Sequence, residues 1–134
     1  MAANPLTLPR PISPAAHAML DYGVATTFFV LGARYRGRNN RAAALAFING
    51  AMVLGMSMLT DYPGGVWRRL TFKTHRTLDI VQAALAGAGP ALFGFSDTAE
   101  AKTFYGQATS EAGVIGMTDW DAQPARNRAP AMSA

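Results

Sequence analysis

The chain has 134 residues, of which half are hydrophobic and only 15% are charged, and its formal net charge is +4. This length fits one domain, but soluble domains usually carry about 25% charged residues. Cysteine is absent, which excludes disulfides, thiolate metal sites and thiol nucleophiles. The basic residues cluster at the ends of apolar segments, so we expect contact with lipid headgroups and no binding to nucleic acid.

Four apolar segments are predicted as helices, in chain order. Each is near the roughly 20 residues that are needed to cross a bilayer, and stretches rich in glycine, proline or polar residues separate them. The segments span residues 15–33, 41–60, 77–95 and 102–118. We therefore predict an all-α fold of four transmembrane helices.

The sequence also contains an internal repeat with an offset of 58 positions, which separates His17 from His75 and Asp21 from Asp79. The same offset relates Leu20 to Leu78, Gly55 to Gly113, Thr60 to Thr118 and Asp61 to Asp119. The repeat predicts two tandem helical hairpins, related by a pseudo-two-fold axis along the membrane normal, with both termini on one side. The predicted units are a flexible Pro-rich tail (1–14), the first hairpin (15–62), an interfacial linker (63–74), the second hairpin (75–120) and a flexible C-terminal tail (121–134).

The fourth segment fits a membrane span least well. It contains Gln107, Ser110 and Glu111, and a charge at mid-bilayer costs roughly 2.5–3.5 kcal/mol on insertion scales. A soluble four-helix bundle would tolerate these residues. Soluble helices should show a regular charged stripe, however, and no charge lies between Asp21 and Arg34. We favour the membrane interpretation and keep the soluble bundle as the alternative; we see no signal peptide.

Several short motifs carry a resemblance to a known family. They are His17-Ala18-Met19-Leu20-Asp21-Tyr22, Thr60-Asp61-Tyr62, His75-Arg76-Thr77-Leu78-Asp79 and Pro90-Ala91-Leu92-Phe93-Gly94-Phe95-Ser96-Asp97. Over roughly residues 14–120 the chain resembles the small bacterial membrane proteins grouped with the SPW-repeat family. The resemblance implies a four-helix fold and a multi-pass location in the bacterial inner membrane, and it implies no activity. Which side holds the termini stays open, because the basic residues around the first hairpin and the whole-chain count point in opposite directions.

The repeated motifs predict a polar layer at one end of the helices. His17 and Asp21 are four residues apart and share a helix face, and the second hairpin repeats the pair. The predicted layer consists of His17, Asp21, Asp61, His75, Asp79 and Asp119. We interpret it as a structural clamp, in which each Asp bonds the His of its own hairpin or caps a helix, and which needs no cofactor. The alternatives are a site for zinc, manganese or iron, a haem b held between the two His, and proton handling.

A second polar feature lies in the fourth segment, where Gln107, Glu111 and Thr118 follow helical spacing. Intramembrane carboxylates are often functional; the alternative is a stripe that is packed and paired inside the bundle. Five methionines could be thioether ligands for copper, but we interpret them as core residues. They are Met19, Met52, Met56, Met58 and Met117.

No phosphate-binding loop, nucleophile with an adjacent base, or nucleotide fingerprint is present. We therefore expect a non-enzymatic integral membrane protein with a structural or interaction role, whose partners are the lipid bilayer and other membrane proteins or further copies of itself. The alternative is a metal- or haem-binding redox component that uses the His/Asp layer. Ion or proton conduction is the third hypothesis.

Overall fold

The computed structural model describes residues 9–122. Within this range the chain is all-helical, with no strand apart from two isolated β-bridges. The helices are α1 (Pro14–Tyr35), α2 (Asn40–Leu59), α3 (Phe72–Leu92) and α4 (Ala99–Met117). The prediction of an all-helical chain with four helices is confirmed. The flexible tails were predicted for residues 1–14 and 121–134, and of these, residues 1–8 and 123–134 lie outside the described residues.

Side-chain caps set where the hairpins begin. The side-chain oxygen of Ser13 accepts the backbone N–H of Ala16 at 3.2 Å, and that of Thr71 accepts the N–H of Thr74 at 3.1 Å. Such caps satisfy donors that the first helical turn leaves free. Because Thr71 caps it, α3 begins at Phe72, five residues before the predicted segment, and the first turn of α3 takes up the end of the predicted linker.

The helices pack as two hairpins, α1 on α2 and α3 on α4, and α2 and α3 join the hairpins. Buried Phe28, Leu45 and Phe104 belong to the main apolar core. Gly89 permits the close approach of α3 to α2, since a Cβ atom at that position would collide with the side chain of Leu45. The apolar core thus joins the two hairpins.

Short backbone pairings join the chain segments at the end of the bundle where α1 and α3 begin and where α2 and α4 end. Ile12 pairs with Thr118, and Thr60 pairs with Leu70. The segment that enters each hairpin is therefore bonded to the segment that leaves the other one. Both ends of the described chain lie together at this end of the bundle.

The structure bears only in part on the prediction of four membrane spans. By length and composition, α2 is the one described helix that is apolar enough to cross a membrane. Buried core helices of soluble proteins can pass the same criterion.

Candidate metal centre

Four of the six residues predicted for the polar layer converge between the hairpins. His17 and Asp21 come from α1, and His75 and Asp79 from α3. One potential ligand atom from each residue lies within 4.8 Å of all the others. Both imidazoles are fully buried and both Asp residues are only 7% exposed. Buried ionisable groups of this kind require partners or a metal ion.

Each imidazole lies between both carboxylates. His17 Nε2 is 3.0 Å from Asp79 Oδ2 and 3.3 Å from Asp21 Oδ1. His75 Nε2 is 3.2 Å from Asp21 Oδ2 and 3.2 Å from Asp79 Oδ1. The pairing therefore crosses between the hairpins as well as running within them. A clamp confined to each hairpin does not describe this arrangement.

The other nitrogen of each ring contacts a threonine from the opposite hairpin. His17 Nδ1 is 2.9 Å from Thr118 Oγ1, and His75 Nδ1 is 2.7 Å from Thr60 Oγ1. Each threonine hydroxyl donates its single proton to the carbonyl four residues earlier, at 2.6 Å in both cases. The hydroxyl oxygens must therefore accept, so both Nδ1 atoms carry hydrogen and donate.

This assignment decides what the two Nε2 atoms can do. In a neutral imidazole that is protonated on Nδ1, Nε2 is an acceptor, and here it would face carboxylate oxygens that are also acceptors. Two arrangements that keep both carboxylates ionised remove the conflict. Either both rings are imidazolium ions paired with two carboxylates, or a divalent cation lies between the Nε2 atoms and the carboxylates. The formal charges sum to zero in both cases.

Tyr62 makes the two carboxylates unequal. Its hydroxyl donates to Asp21 Oδ2 at 2.7 Å. Burial, and then the nearby charge of Asp21, raise the pKa of the Tyr62 phenol well above its usual range, so the phenol remains a donor. The equivalent position in the second hairpin is Trp120, whose indole N–H donates to the carbonyl of Ile115 at 2.9 Å. Among residues 9–122, no phenol donates to Asp79.

Asp61 and Asp119, which were also predicted for the layer, lie outside the cluster. Asp61 is 3.6 Å from the guanidinium of Arg68, and the side chain of Asp119 accepts the backbone N–H of Asp121. Each follows a threonine with extended backbone angles. Successive side chains point to opposite sides of an extended chain, so the inward direction of the threonines turns these two carboxylates away.

A second polar network lies deeper in the bundle. Gln107 Nε2 donates to Glu111 Oε1 at 3.1 Å, and Gln82 Nε2 lies 2.9 Å from Asn49 Oδ1 and 3.5 Å from Glu111 Oε1. Glu111 and Gln107 of the predicted stripe are thus bonded to each other, whereas Thr118 bonds His17 instead. Sequence reasoning missed Gln82; its place three residues after Asp79, on the same helix face, was the available signal.

Compared with protein-family models, curated proteins and solved structures, the chain has no match in any of the three.

Proposed function

We propose that this protein binds one divalent transition-metal ion between its two hairpins, through His17, Asp21, His75 and Asp79. The observation that carries the proposal is the orientation of the two imidazoles. Both donate from Nδ1 to a threonine and present Nε2 to the same pair of carboxylates. A hydrogen bond from the second ring nitrogen is the usual arrangement for a His that ligates a metal.

The ligand types favour a borderline or moderately hard metal. Two imidazole nitrogens with two carboxylates suit zinc, manganese or iron(II). Two negative carboxylates also balance the charge of a divalent ion, which matters at a site with so little exposure. The four potential ligand atoms already lie within 4.8 Å of one another, so they can close on a bare ion with small side-chain movements. A haem between the two rings would have to displace both carboxylates.

We further propose that all four helices span a membrane, as in the SPW-repeat proteins that the chain resembles, and that the membrane is the bacterial inner membrane. The distribution of polarity supports this. Large apolar side chains face outwards, including Met19, Val30 and Val81, which are 77%, 52% and 55% exposed, while the deepest polar residues face inwards. The outward charged residues of the helices lie within five residues of a helix end. They are Arg34, Arg41, Lys73, Arg76 and Lys102.

The same cluster without a metal would be an ionic clamp between the hairpins, whereas the clamp expected from the sequence lay within each hairpin. Both roles use the same contacts, and they differ in whether an ion occupies the centre. Without a metal ion, the cluster only stabilises the bundle. With a metal ion, it can also bind and activate a ligand.

Metal content decides between them. The protein is extracted in detergent, purified without chelator, and analysed for metals; the metal-free form is then titrated with zinc, manganese and iron(II). We expect one equivalent of metal per chain, lost in His75→Ala and in Asp79→Asn. Asp61→Asn is the matched control, because Asp61 lies at the same end of the bundle but outside the cluster, and it should keep full occupancy. Absence of stoichiometric metal from the wild type, together with a melting temperature that is indifferent to chelator, would establish the clamp instead.

A further inference from the structure

We infer that the bound metal keeps one coordination position open towards a cavity between α1 and α4, and that this position takes an exchangeable ligand of two or three heavy atoms with an oxygen or nitrogen donor. The inference rests on the proposed metal site. Its basis is the cavity, which has a volume of about 70 Å³ and is bordered on one side by His17, Asp21 and Asp79. Three of the four proposed metal ligands therefore face it.

The cavity reaches the surface through a gap in the helix packing. The close helix contacts in the bundle are those of α1 with α2, α3 with α4 and α2 with α3, whereas α1 and α4 approach each other little. Leu20 and Ser110 line the cavity and are exposed at the surface. A small molecule can thus reach the centre from the side of the bundle, between α1 and α4, without any helix moving.

The size of the cavity limits the ligand. One water molecule takes about 30 Å³ in the liquid, and a dry cavity of about 150 Å³ binds benzene. A volume of about 70 Å³ therefore holds about two waters, or one ligand of two or three heavy atoms. It excludes an aromatic ring.

Glu111 lines the far wall of the cavity, opposite the proposed metal, and favours a polar ligand. Its Oε1 atom accepts from the amide of Gln107 and lies near that of Gln82, while its buried Oε2 atom bonds to no group in the described part of the chain. Gln82 is held in turn by Asn49. The carboxyl group is thus fixed by one oxygen, and its other oxygen can meet a ligand whose first atom is on the metal. Hydrogen peroxide and hydroxylamine, which have two heavy atoms and hydrogens that Oε2 can accept, have this chemistry.

Cobalt(II) and azide test the inference. Cobalt(II) occupies zinc-type sites and has visible bands that respond to its ligands, and azide is a nitrogen donor of three heavy atoms. We expect azide to change the visible spectrum of the cobalt-loaded protein in a saturable way. Ser110→Trp should block the mouth and weaken azide binding at least tenfold while the spectrum without azide stays the same. Thr109→Trp is the matched control, since Thr109 is exposed and adjacent but does not line the cavity, and its azide binding should equal that of the wild type.

The Glu111 variants test the far wall. The probe here is hydroxylamine, a nitrogen donor of two heavy atoms which, unlike azide, carries hydrogens that Glu111 Oε2 can accept. Glu111→Leu should weaken hydroxylamine binding roughly fivefold, the effect of one lost hydrogen bond, and Glu111→Gln, which keeps hydrogen-bonding atoms in place, should restore most of it. Cobalt that binds but gives a spectrum unchanged by saturating azide overturns the open position and leaves the metal site standing. Equal weakening by both tryptophan variants overturns the route between α1 and α4. Failure to bind cobalt at all overturns the proposed function itself, and the inference with it.

Discussion

Replacing the two histidines singly and together tests whether the hairpins share one centre. In His17→Ala, Asp21 and Asp79 each lose a partner that lies within 3.3 Å, and His75→Ala removes the equivalent contacts of the same two carboxylates. Breaking a buried charged pair from one side costs about 3–5 kcal/mol. We expect each single variant to lose stability in this range. Because both rings contact the same carboxylates and would ligate the same proposed ion, the second substitution removes a centre that the first has already disabled.

The loss in the double variant should therefore fall short of the sum of the two single losses by at least about 1 kcal/mol, within the coupling of about 0.5–3 kcal/mol that residues in one network show. Reversible unfolding in mixed detergent micelles measures all four proteins, with and without chelator. Chelator should lower the stability of the wild type and leave the three variants unchanged. Losses that add to within about 0.5 kcal/mol, as independent sites do, would refute the shared centre. They would restore a clamp made of two separate hairpin locks.

Three further predictions concern the shell around the centre. Thr60→Val and Thr118→Val each remove the acceptor for one Nδ1–H, so each should weaken zinc binding about 10–100-fold. Thr103→Val is the control, because Thr103 is remote from the centre, and it should have no effect. Competition with a zinc chelator measures the three affinities. Zinc affinity should fall as the pH is lowered, because protons compete with the metal for both Nε2 atoms, and a pH-independent affinity would contradict ligation by the imidazoles. Tyr62→Phe should cost about 1.5–3 kcal/mol near neutral pH, as the loss of a hydrogen bond to a charged group. Since the pKa of this phenol is raised in the folded protein, the wild type should lose stability above the ordinary tyrosine pKa of about 10 more steeply than Tyr62→Phe does in parallel melts.

The residues that converge at the centre were predictable from local spacing. His17 and Asp21 share a helix face because they are four residues apart, and the same spacing in α3 gives His75 and Asp79. The crossing of the contacts was not predictable, because it depends on how closely one hairpin approaches the other. Helical spacing says nothing about that distance.

The errors in the predicted layer have a local cause. Asp61 was predicted for the layer because it follows the first hairpin at the same end of the bundle as His17. The direction of its side chain, however, depends on the backbone angles of Thr60, where helix changes to extended chain. The threonine, one position earlier, points inwards instead. A prediction based on residue type favours the carboxylate, whereas the geometry of the helix end favours its neighbour. Helix boundaries are also where sequence patterns are least informative, as the early start of α3 shows.

An arginine scan along α3 separates a membrane-spanning bundle from a soluble one. Val81 lies near the middle of α3, is 55% exposed, and faces away from the other helices. If that face is in contact with lipid, Val81→Arg should disfavour membrane insertion by about 2.5–3.5 kcal/mol, the cost of a charge at mid-span. On a water-exposed surface the same change should alter the free energy of unfolding by no more than about 0.5 kcal/mol.

Thr77→Arg is the control. Thr77 is exposed on the same helix, but it lies one residue from Arg76 and close to the end of α3, where a charge can reach the headgroups. The amount of protein that resists alkaline extraction from membranes should fall for Val81→Arg and stay unchanged for Thr77→Arg. Normal yields of both variants in the fraction that is soluble without detergent would show that the apolar outer face is in contact with water.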